Sequence, residues 1–420
     1  MPTGFSGRLS RRGVEDVSLA SLFYRVALAM PYWNGATYRQ ILRALCSGSI
    51  VEGAELHDLR LQVMETLRVR EALLCGSGSL ALEIALRACE VTRGDEVVIP
   101  TFCCSAVVPP ILAIGATPVL ADVGEELNLT ADTVGAVLTQ KTKAIIVPHL
   151  FGNPADIGAI IELARQKNIR VIDDAAQALG ATIDGRPVGS FGDAGILSFG
   201  SEKICSGLGG GVVIFSQKDF LTQHSMAGLV SPRLFSTSTS FLSTLVWRRW
   251  RRWTLPVQAV FSGSKSRSPN ELPSPYRKQR LANLSAAVAL SLVQSLRANI
   301  TARRARVDAF RELLGSVEGL QLIPHRPGSA CLTQVARVLA NRTRPDLASN
   351  VIEVLGRSGY EIQGSYVPIH LLPNFDKCVW DQLSYAERVW ADLIELPCEP
   401  HVSFDHVERI AAGVKHTVNS

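Results

Sequence analysis

The chain has 420 residues, of which 47% are hydrophobic and 19% charged. These values are ordinary for a soluble globular protein with a large core and a second domain. The formal net charge of +5 is small for this length, so charge gives no indication of nucleic-acid binding.

The cysteines and the N-terminal region bear on the cellular compartment. Nine cysteines, an odd number, occur without a CxxC pair or metal-finger spacing, which indicates free thiols in a reducing compartment and no metal site. Arginines precede an apolar run at residues 17–30, but charged residues interrupt the pattern of an export signal. No uninterrupted stretch reaches the roughly 20 apolar residues of a spanning helix. We therefore expect a cytoplasmic protein.

From about residue 70 to 215, short β-rich runs alternate with helical patterns, which predicts parallel strands joined by crossover helices. The predicted strands are residues 72–75, 96–99, 118–122, 144–148, 170–174, 196–199 and 212–215. Helical patterns between them include residues 80–90, 106–114 and 157–167. The sequence thus predicts an α/β fold with a mostly parallel sheet.

The remaining stretches suggest the domain organisation. Residues 1–45 are an N-terminal segment, and residues 46–260 are the predicted large domain. Residues 216–275 lose the alternation and are predicted to be an irregular insertion or junction. The pattern turns helical over residues 281–314, and residues 276–420 are predicted to form a smaller C-terminal α/β domain.

A glycine-serine turn, Gly76-Ser77-Gly78-Ser79, separates the first predicted strand from a helical pattern that begins near Leu80. Glycines let the backbone approach an anion, and the N–H groups of a first helical turn complete a phosphate cradle. Ser79 can act as the helix N-cap or as a phosphate ligand. The turn alone is equally typical of an ordinary strand-to-helix connection with a serine cap.

Four polar side chains beside hydrophobic runs indicate a cofactor site: Asp174, Gln177, Ser198 and Lys203. Lysine can form an imine with the aldehyde of pyridoxal phosphate, aspartate can keep the pyridine nitrogen protonated, and hydroxyl groups can bind phosphate. Asp174 and Ser198 fall at or near the carboxyl ends of predicted strands, where ligands gather in open α/β sheets. Each residue alone has an ordinary alternative, such as a turn cap for Asp174.

Residues 171–215 resemble the cofactor-binding segment of the DegT/DnrJ/EryC1/StrS family of sugar aminotransferases. That segment combines an Asp-Ala-Ala-Gln-Ala run with a Ser-Phe-x-x-x-Lys motif and a Gly-Gly turn. The resemblance continues in order over most of residues 45–415, through residues 47–53, 94–100, 115–119 with Asp122, 149–152, 280–287, the region of His370, and 396–397.

The resemblance implies a fold type I aminotransferase, with a mostly parallel sheet flanked by helices and a smaller C-terminal α/β domain. It implies pyridoxal 5'-phosphate as cofactor, Lys203 as the Schiff-base lysine and Asp174 as the partner of the pyridinium nitrogen. Gln177 would contact the ring near its phenolic oxygen. Ser198, Gly78 and Ser79 would bind the phosphate. The other residues predicted to contact the cofactor are Leu80, Cys104 and Lys278.

The resemblance further implies a homodimer that transfers an amino group, from glutamate, to a keto-sugar. The sugar would be nucleotide-linked and serve as a polysaccharide, glycan or antibiotic precursor. Two alternatives are a non-catalytic or regulatory relative that binds a partner or membrane, and a related sugar dehydratase. Retention of Lys203, Asp174 and Gln177 argues against the non-catalytic relative. Lys203 also argues against the dehydratase, because related dehydratases tend to have histidine at that position.

The chain departs from the family pattern at three places. Cys103 and Cys104 follow Phe102 where a threonine and a ring-stacking aromatic are usual, so either Cys104 packs on the ring or Phe102 rearranges to stack there. Lys278 stands where an asparagine usually reaches the phosphate of the partner subunit, so either Lys278 supplies a cation to that phosphate or the contact is lost. Residues 200–202 replace a His-Pro-Thr run, so the resemblance does not identify the substrate.

Three tryptophans, Trp247, Trp250 and Trp253, alternate with arginine pairs. On a helix this spacing suits a peripheral contact with anionic lipid or an acidic partner, the binding of a nucleotide diphosphate, or an ordinary packed amphipathic helix. His149 and His370 can be polar site residues or hydrogen-bonded histidines beside the core.

Overall fold

The computed structural model describes residues 32–215, 228–245, 276–339, 346–373 and 375–420, together with Val26. The strands are β1 (Glu71–Cys75), β2 (Glu96–Pro100), β3 (Thr117–Ala121), β4 (Thr142–Pro148), β5 (Arg170–Asp174), β6 (Thr182–Ile183), β7 (Arg186–Pro187), β8 (Ala194–Ser198), β9 (Gly211–Phe215), β10 (Leu320–Leu322), β11 (Thr333–Val338), β12 (Gln363–Gly364) and β13 (Leu393–Pro397). The α-helices are α1 (Gly35–Cys46), α2 (Glu55–Leu67), α3 (Gly78–Ala88), α4 (Val108–Ile114), α5 (Ala131–Gly135), α6 (Ile157–Gln166), α7 (Leu234–Ser243), α8 (Asn283–Gln294), α9 (Leu296–Leu314), α10 (Leu347–Arg357), α11 (Ser384–Val389) and α12 (Phe404–Asn419). None of these described helices is both long and apolar enough to span a bilayer.

A seven-stranded sheet forms the centre of the molecule, in the order β1-β9-β8-β5-β4-β2-β3. The pairs from β8 to β3 are parallel, whereas β9 runs antiparallel to both β8 and β1. All seven predicted strands of this sheet are confirmed, with ends that differ by at most two residues. The predicted α/β fold with a mostly parallel sheet is therefore confirmed.

The continuous apolar runs of the central strands arise because helices cover both faces of the sheet. Alternate residues of one strand belong to different cores: Val97 and Ile99 pack toward α3 and α4, whereas Val98 packs toward α6. Beside the latter face, α1, α2 and α8 cover β8, β9 and β1. Hydrophobic cores on both faces of the sheet thus fix the positions of the strand ends, including those that carry polar side chains.

Helix α8 packs against α1 and α2 and shares the core of the large domain. The next helix, α9, joins two cores: Ile300 lies in the large-domain core, and Val307 and Phe310 lie in the small-domain core. The hydrophobic core therefore changes within α9. The predicted domain bounds, with an N-terminal segment at residues 1–45 and a boundary at residue 276, stay predictions.

The small domain is an antiparallel sheet in the order β10-β11-β13-β12, covered by the second half of α9 with α10 and α12. The predicted irregular stretch, residues 216–275, contains helix α7, so that prediction was wrong for residues 234–243. Trp247, Trp250 and Trp253 lie outside the described residues, and their predicted contacts stay predictions.

Candidate active site

The carboxyl ends of neighbouring strands bring the predicted site residues together. Asp174 ends β5 and Ser198 ends β8, and these two strands pair in parallel. A cavity of about 270 Å³ opens above them. Its lining includes Gly78, Ser79, Cys104, Asp174, Gln177, Ser198 and Lys203, which are seven of the nine predicted cofactor-binding residues. We call this cavity the cofactor pocket.

The start of α3 forms one wall of the cofactor pocket. Ser77 is the N-cap of α3, since its Oγ accepts a hydrogen bond from the N–H of Leu80 at 3.2 Å. The N-cap alternative for Ser79 was wrong: its hydroxyl donates to the carbonyl of Ala106 at 3.4 Å. Ser79 lies in the first turn of α3, whose N–H groups and dipole attract an anion.

Gly78 is required by the close approach of Ser198. A Cβ atom at position 78 would lie 2.9 Å from both Cβ and Oγ of Ser198, well inside contact distance. The missing side chain leaves the Ser198 hydroxyl and the helix N-terminus facing one space. That space suits a phosphate group.

Asp174 is 5% exposed and lines the floor of the pocket. Its Oδ1 accepts a hydrogen bond from the N–H of Ala176 at 2.9 Å. Burial raises the pKa of the Asp174 carboxyl above its ordinary value, although the Ala176 hydrogen bond and the positive charge of Lys203 offset part of this effect. A protonated ring nitrogen is the kind of partner that would favour the charged form.

The preceding residue, Asp173, is fully hydrogen-bonded. Its Oδ2 accepts from the N–H groups of Gly189 and Phe191, at 2.7 and 2.9 Å. Its Oδ1 lies 2.8 Å from Nε2 of His149, whose Nδ1 accepts from the N–H of Ala155 at 2.9 Å. Because Nδ1 is an acceptor, the proton lies on Nε2 and donates to Asp173. His149 is thus a hydrogen-bonded histidine that also forms part of the pocket wall.

Gln177 is held at both ends of its amide. Its Oε1 accepts from the N–H of Phe151 at 3.1 Å, and its Nε2 donates to the hydroxyl of Tyr366 at 3.1 Å. The sequence analysis did not identify Tyr366. The only local signal was an aromatic residue before the Pro-x-His run at residues 368–370, and nothing in the sequence linked it to Gln177.

Cys104, rather than Phe102, lies in the pocket lining at the usual stacking position. Phe102 is fully buried, with ring centroids 6.2 Å from Phe151 and 6.0 Å from Tyr366. This position of Phe102 favours Cys104 as the residue beside the ring, and which of the two contacts the cofactor stays a prediction. A thiol offers less contact area to a ring than an aromatic side chain does.

Two predicted cofactor-binding residues lie outside the pocket lining. The side chain of Leu80 is buried in the core against α4, and its N–H donates to Ser77. Lys278 forms an ion pair with the buried carboxylate of Glu83, at 2.7 Å, and Tyr276 donates to the same carboxylate at 2.7 Å. The predicted contact of Lys278 with a partner subunit's phosphate stays a prediction.

A smaller space of about 100 Å³, which we call the adjoining cavity, shares Gln177, Ser201, Glu202 and Lys203 with the cofactor pocket. Its other polar lining residues include Tyr32, Arg303, Tyr366, Glu395 and Glu399. Burial, together with the nearby carboxylates Glu202 and Glu399, raises the pKa of Glu395 to about 7, although a hydrogen bond from Gln363 opposes the shift. Residues of both domains therefore surround Lys203.

His370 is not among the lining residues of either cavity. Its Nε2 lies 2.9 Å from the carboxylate of Glu387 and donates to it, and its Nδ1 lies 2.7 Å from the hydroxyl of Thr101. His370 ties the small domain to the residue that follows β2.

Comparison with known proteins identifies the family. The model of the DegT/DnrJ/EryC1/StrS aminotransferase family matches residues 34–415. The chain belongs to the DegT/DnrJ/EryC1/StrS aminotransferase family. The predicted resemblance is thereby confirmed, as is the enzyme class, a pyridoxal-phosphate-dependent aminotransferase. The non-catalytic and dehydratase alternatives are not favoured.

Curated members of the DegT/DnrJ/EryC1/StrS family include two similar proteins. The chain is 42% identical over 189 residues to UDP-N-acetyl-3-dehydro-alpha-D-glucosamine 3-aminotransferase of Acidithiobacillus ferrooxidans, which covers 44% of this chain and 51% of that protein. It is 26% identical over 399 residues to GDP-perosamine synthase of Caulobacter vibrioides, covering 93% and 97%. The stronger match thus spans about half of the relative, and the weaker one nearly all of it.

Solved structures share the fold. The sugar aminotransferase Spr1654 of Streptococcus pneumoniae, described as putative, superimposes in its PLP-form with a TM-score of 0.75 at 21% identity, covering 94% of this chain and 99% of that one. The aminotransferase TlmJ of Streptoalloteichus hindustanus superimposes with a TM-score of 0.75 at 23% identity, covering 94% and 99%.

Proposed function

We propose that this enzyme transfers an amino group from glutamate to a nucleotide-linked keto-sugar. The observation that carries the proposal is the convergence of Lys203, Asp174 and the phosphate cradle at Gly78 and Ser198 on one cavity. The sugar is suggested by the relatives, whose names refer to UDP- and GDP-linked sugars. The product would serve as a polysaccharide, glycan or antibiotic precursor.

The residues present fit pyridoxal phosphate. A Cβ atom at Gly78 would fill the space for the phosphate, Asp174 is a buried carboxylate that lines the pocket, and the amide of Gln177 is held by two hydrogen bonds. When bound, the cofactor supplies an electron sink that stabilises negative charge on the substrate carbon. Asp174 would keep a proton on the ring nitrogen, and Ser198 with the first turn of α3 would hold the phosphate. The amine of Lys203 would attach the cofactor and then move a proton at the substrate carbon.

The adjoining cavity is our candidate for the sugar ring, because it begins at Lys203 and is rich in hydrogen-bonding groups. The carboxyl groups of Glu202 and Glu395 can accept hydrogen bonds from sugar hydroxyls. An uncharged ring suits these carboxylates better than a sugar acid does.

We also propose a homodimer. Leu234, Phe235 and Leu242 on α7 are 57%, 81% and 54% exposed, which is unusual for large apolar side chains on one short helix. The strand-like segment before α7 is hydrogen-bonded to the segment of Lys278, since Val230 donates to the Lys278 carbonyl at 3.0 Å. A partner that covers α7 would therefore also lie close to Lys278. Sedimentation of Phe235→Asp is expected to show monomers.

We further propose a cytoplasmic location, supported by nine cysteines that are all unpaired. Oxidising compartments convert accessible thiol pairs to disulfides.

Chemical trapping tests the enzyme. Purified protein incubated with pyridoxal phosphate is expected to gain a visible absorbance band, and borohydride is expected to fix the cofactor on Lys203 as found by peptide mapping. Lys203→Ala should abolish trapping, whereas Lys167→Ala, at the exposed end of α6, should not. Glutamate should bleach the band, and nucleotide keto-sugars should then restore it. A protein that stays colourless would refute the proposed activity.

A further inference from the structure

The orientation of the Gln177 amide follows from its partners. A backbone N–H can only donate, so the atom of Gln177 that faces the N–H of Phe151, 3.1 Å away, must be the carbonyl oxygen. The amide nitrogen therefore faces the Tyr366 hydroxyl, also 3.1 Å away, and uses one of its two hydrogens there. The second N–H is left for a ligand, and Gln177 lines both the cofactor pocket and the adjoining cavity. Gln177 can therefore donate a hydrogen bond to a group in the cofactor pocket.

The small domain holds this arrangement in place. Phe151 has a left-handed backbone, with φ 58° and ψ 18°, a conformation that non-glycine residues rarely adopt. Leu332 donates to the Phe151 carbonyl at 2.9 Å, and Ala330 donates to the Gly152 carbonyl at 2.8 Å. The ring of Phe151 stacks on Tyr366, with centroids 5.9 Å apart and an interplanar angle of 29°. Both partners of Gln177 are therefore themselves fixed.

We propose that Tyr366 is a positioning residue that acts through Gln177: it locks the amide so that its free N–H donates to the phenolic oxygen of the cofactor ring. This inference rests on the proposed function, because it needs the ring in the pocket. The hydrogen bond would compete for that oxygen with the protonated nitrogen that joins the cofactor to Lys203. It would thereby ease loss of the proton from that nitrogen.

The test is a pH titration of the visible absorbance of the cofactor-loaded enzyme. Tyr366→Phe keeps the ring and its stacking but removes the oxygen that accepts from Gln177. The titration midpoint is expected to rise by about 0.5–1 pH unit, the shift that corresponds to one hydrogen bond of ordinary strength. Tyr360→Phe is the matched control, since Tyr360 is a buried tyrosine of the same domain whose hydroxyl lies 3.5 Å from His406. Its midpoint should stay that of the wild type.

Other ionisable groups face the same ring and are common to all variants. Those that line the cofactor pocket are Cys103, Cys104, His149, Asp174, Glu202 and Lys203. Tyr32, Arg303, Glu395 and Glu399 line the adjoining cavity. A difference between wild type and Tyr366→Phe therefore reports the removed hydroxyl.

A Gln177→Ala background separates the proposed route from a direct contact. If Tyr366 acts through Gln177, the shift caused by Tyr366→Phe disappears in that background. A shift of the same size in both backgrounds would mean that the hydroxyl contacts the cofactor itself, and would overturn the positioning role. An unshifted midpoint in Tyr366→Phe alone would overturn it as well. A wild type that gains no visible band would instead refute the proposed function.

Discussion

Two adjacent aspartates at the end of β5 are expected to respond in opposite directions to loss of their negative charge. In the cofactor-free protein, Asp174 is buried, accepts from Ala176 and has a raised pKa. Asp174→Asn keeps an oxygen for Ala176 and removes the cost of a poorly compensated charge. We expect the free energy of unfolding of the cofactor-free protein to rise by about 1–2 kcal/mol at neutral pH.

The sign of the pH dependence follows from the raised pKa. The folded protein binds the Asp174 proton more tightly than the unfolded chain does, so wild-type stability falls as pH rises above the ordinary aspartate range. The advantage of Asp174→Asn should therefore grow from acidic to neutral pH.

Asp173 is the matched control, because its carboxylate accepts three hydrogen bonds, from His149, Gly189 and Phe191. An asparagine at position 173 would turn an N–H group toward at least one of these donors. We expect Asp173→Asn to lower the free energy of unfolding by about 3–5 kcal/mol.

Urea unfolding of the cofactor-free proteins between pH 5 and pH 8 measures both effects. With pyridoxal phosphate present, the wild type should become more stable than Asp174→Asn. Each tenfold loss of affinity of the variant for the cofactor removes about 1.4 kcal/mol of stabilisation at saturating ligand. If Asp174→Asn destabilised the cofactor-free protein as strongly as Asp173→Asn, Asp174 would be a structural residue and our assignment would be wrong.

Three further changes test other parts of the site. Glu395→Gln should have the wild-type free energy of unfolding near pH 4.5 but exceed it by about 3 kcal/mol at pH 8. The reason is that the wild type loses stability as pH rises from the ordinary pKa of 4.5 toward about 7. The same pH dependence of the free energy of unfolding in both proteins, measured in urea, would contradict this. Gly78→Ala should weaken cofactor binding at least about tenfold in a fluorescence titration, since its Cβ would lie 2.9 Å from the Ser198 hydroxyl. Glu83→Gln should lower the free energy of unfolding by about 2 kcal/mol through loss of the negative charge that pairs with Lys278 and Arg87. This loss should be smaller in a Lys278→Met background, and an undiminished loss there would show that Arg87 and Tyr276 hold the carboxylate without Lys278.

Local patterns in the sequence predicted the parts of the fold that depend on short-range order. Buried strands appear as continuous apolar runs, so every strand of the central sheet was located, and with them the ends that carry Asp174 and Ser198. The start of α3 was predicted two residues late, because the apolar periodicity begins at Leu80 while the first turn begins at Gly78. The same reasoning explains why Ser77, the actual cap, was passed over in favour of Ser79.

Long-range contacts account for what the sequence did not predict. Tyr366 lies 189 residues after Gln177, and their hydrogen bond exists only because the small domain folds back over the sheet. The carboxyl group of Glu395 likewise reaches the surroundings of Lys203 through tertiary structure alone. The helical pattern of residues 281–314 looked like one element of one domain, but it breaks at Ser295 and divides between two cores.

Helix α9 limits how the two domains can move. A helix of 19 residues is about 28 Å long, and its two halves are anchored in different cores. Between the anchors, Arg303 and Arg306 donate to the carbonyls of Leu332 and Val402. Rotation of one domain against the other would have to bend α9 and break the hydrogen bonds of Arg303 and Arg306. We therefore expect substrate entry to depend on loops such as residues 200–206 rather than on rotation of the two domains.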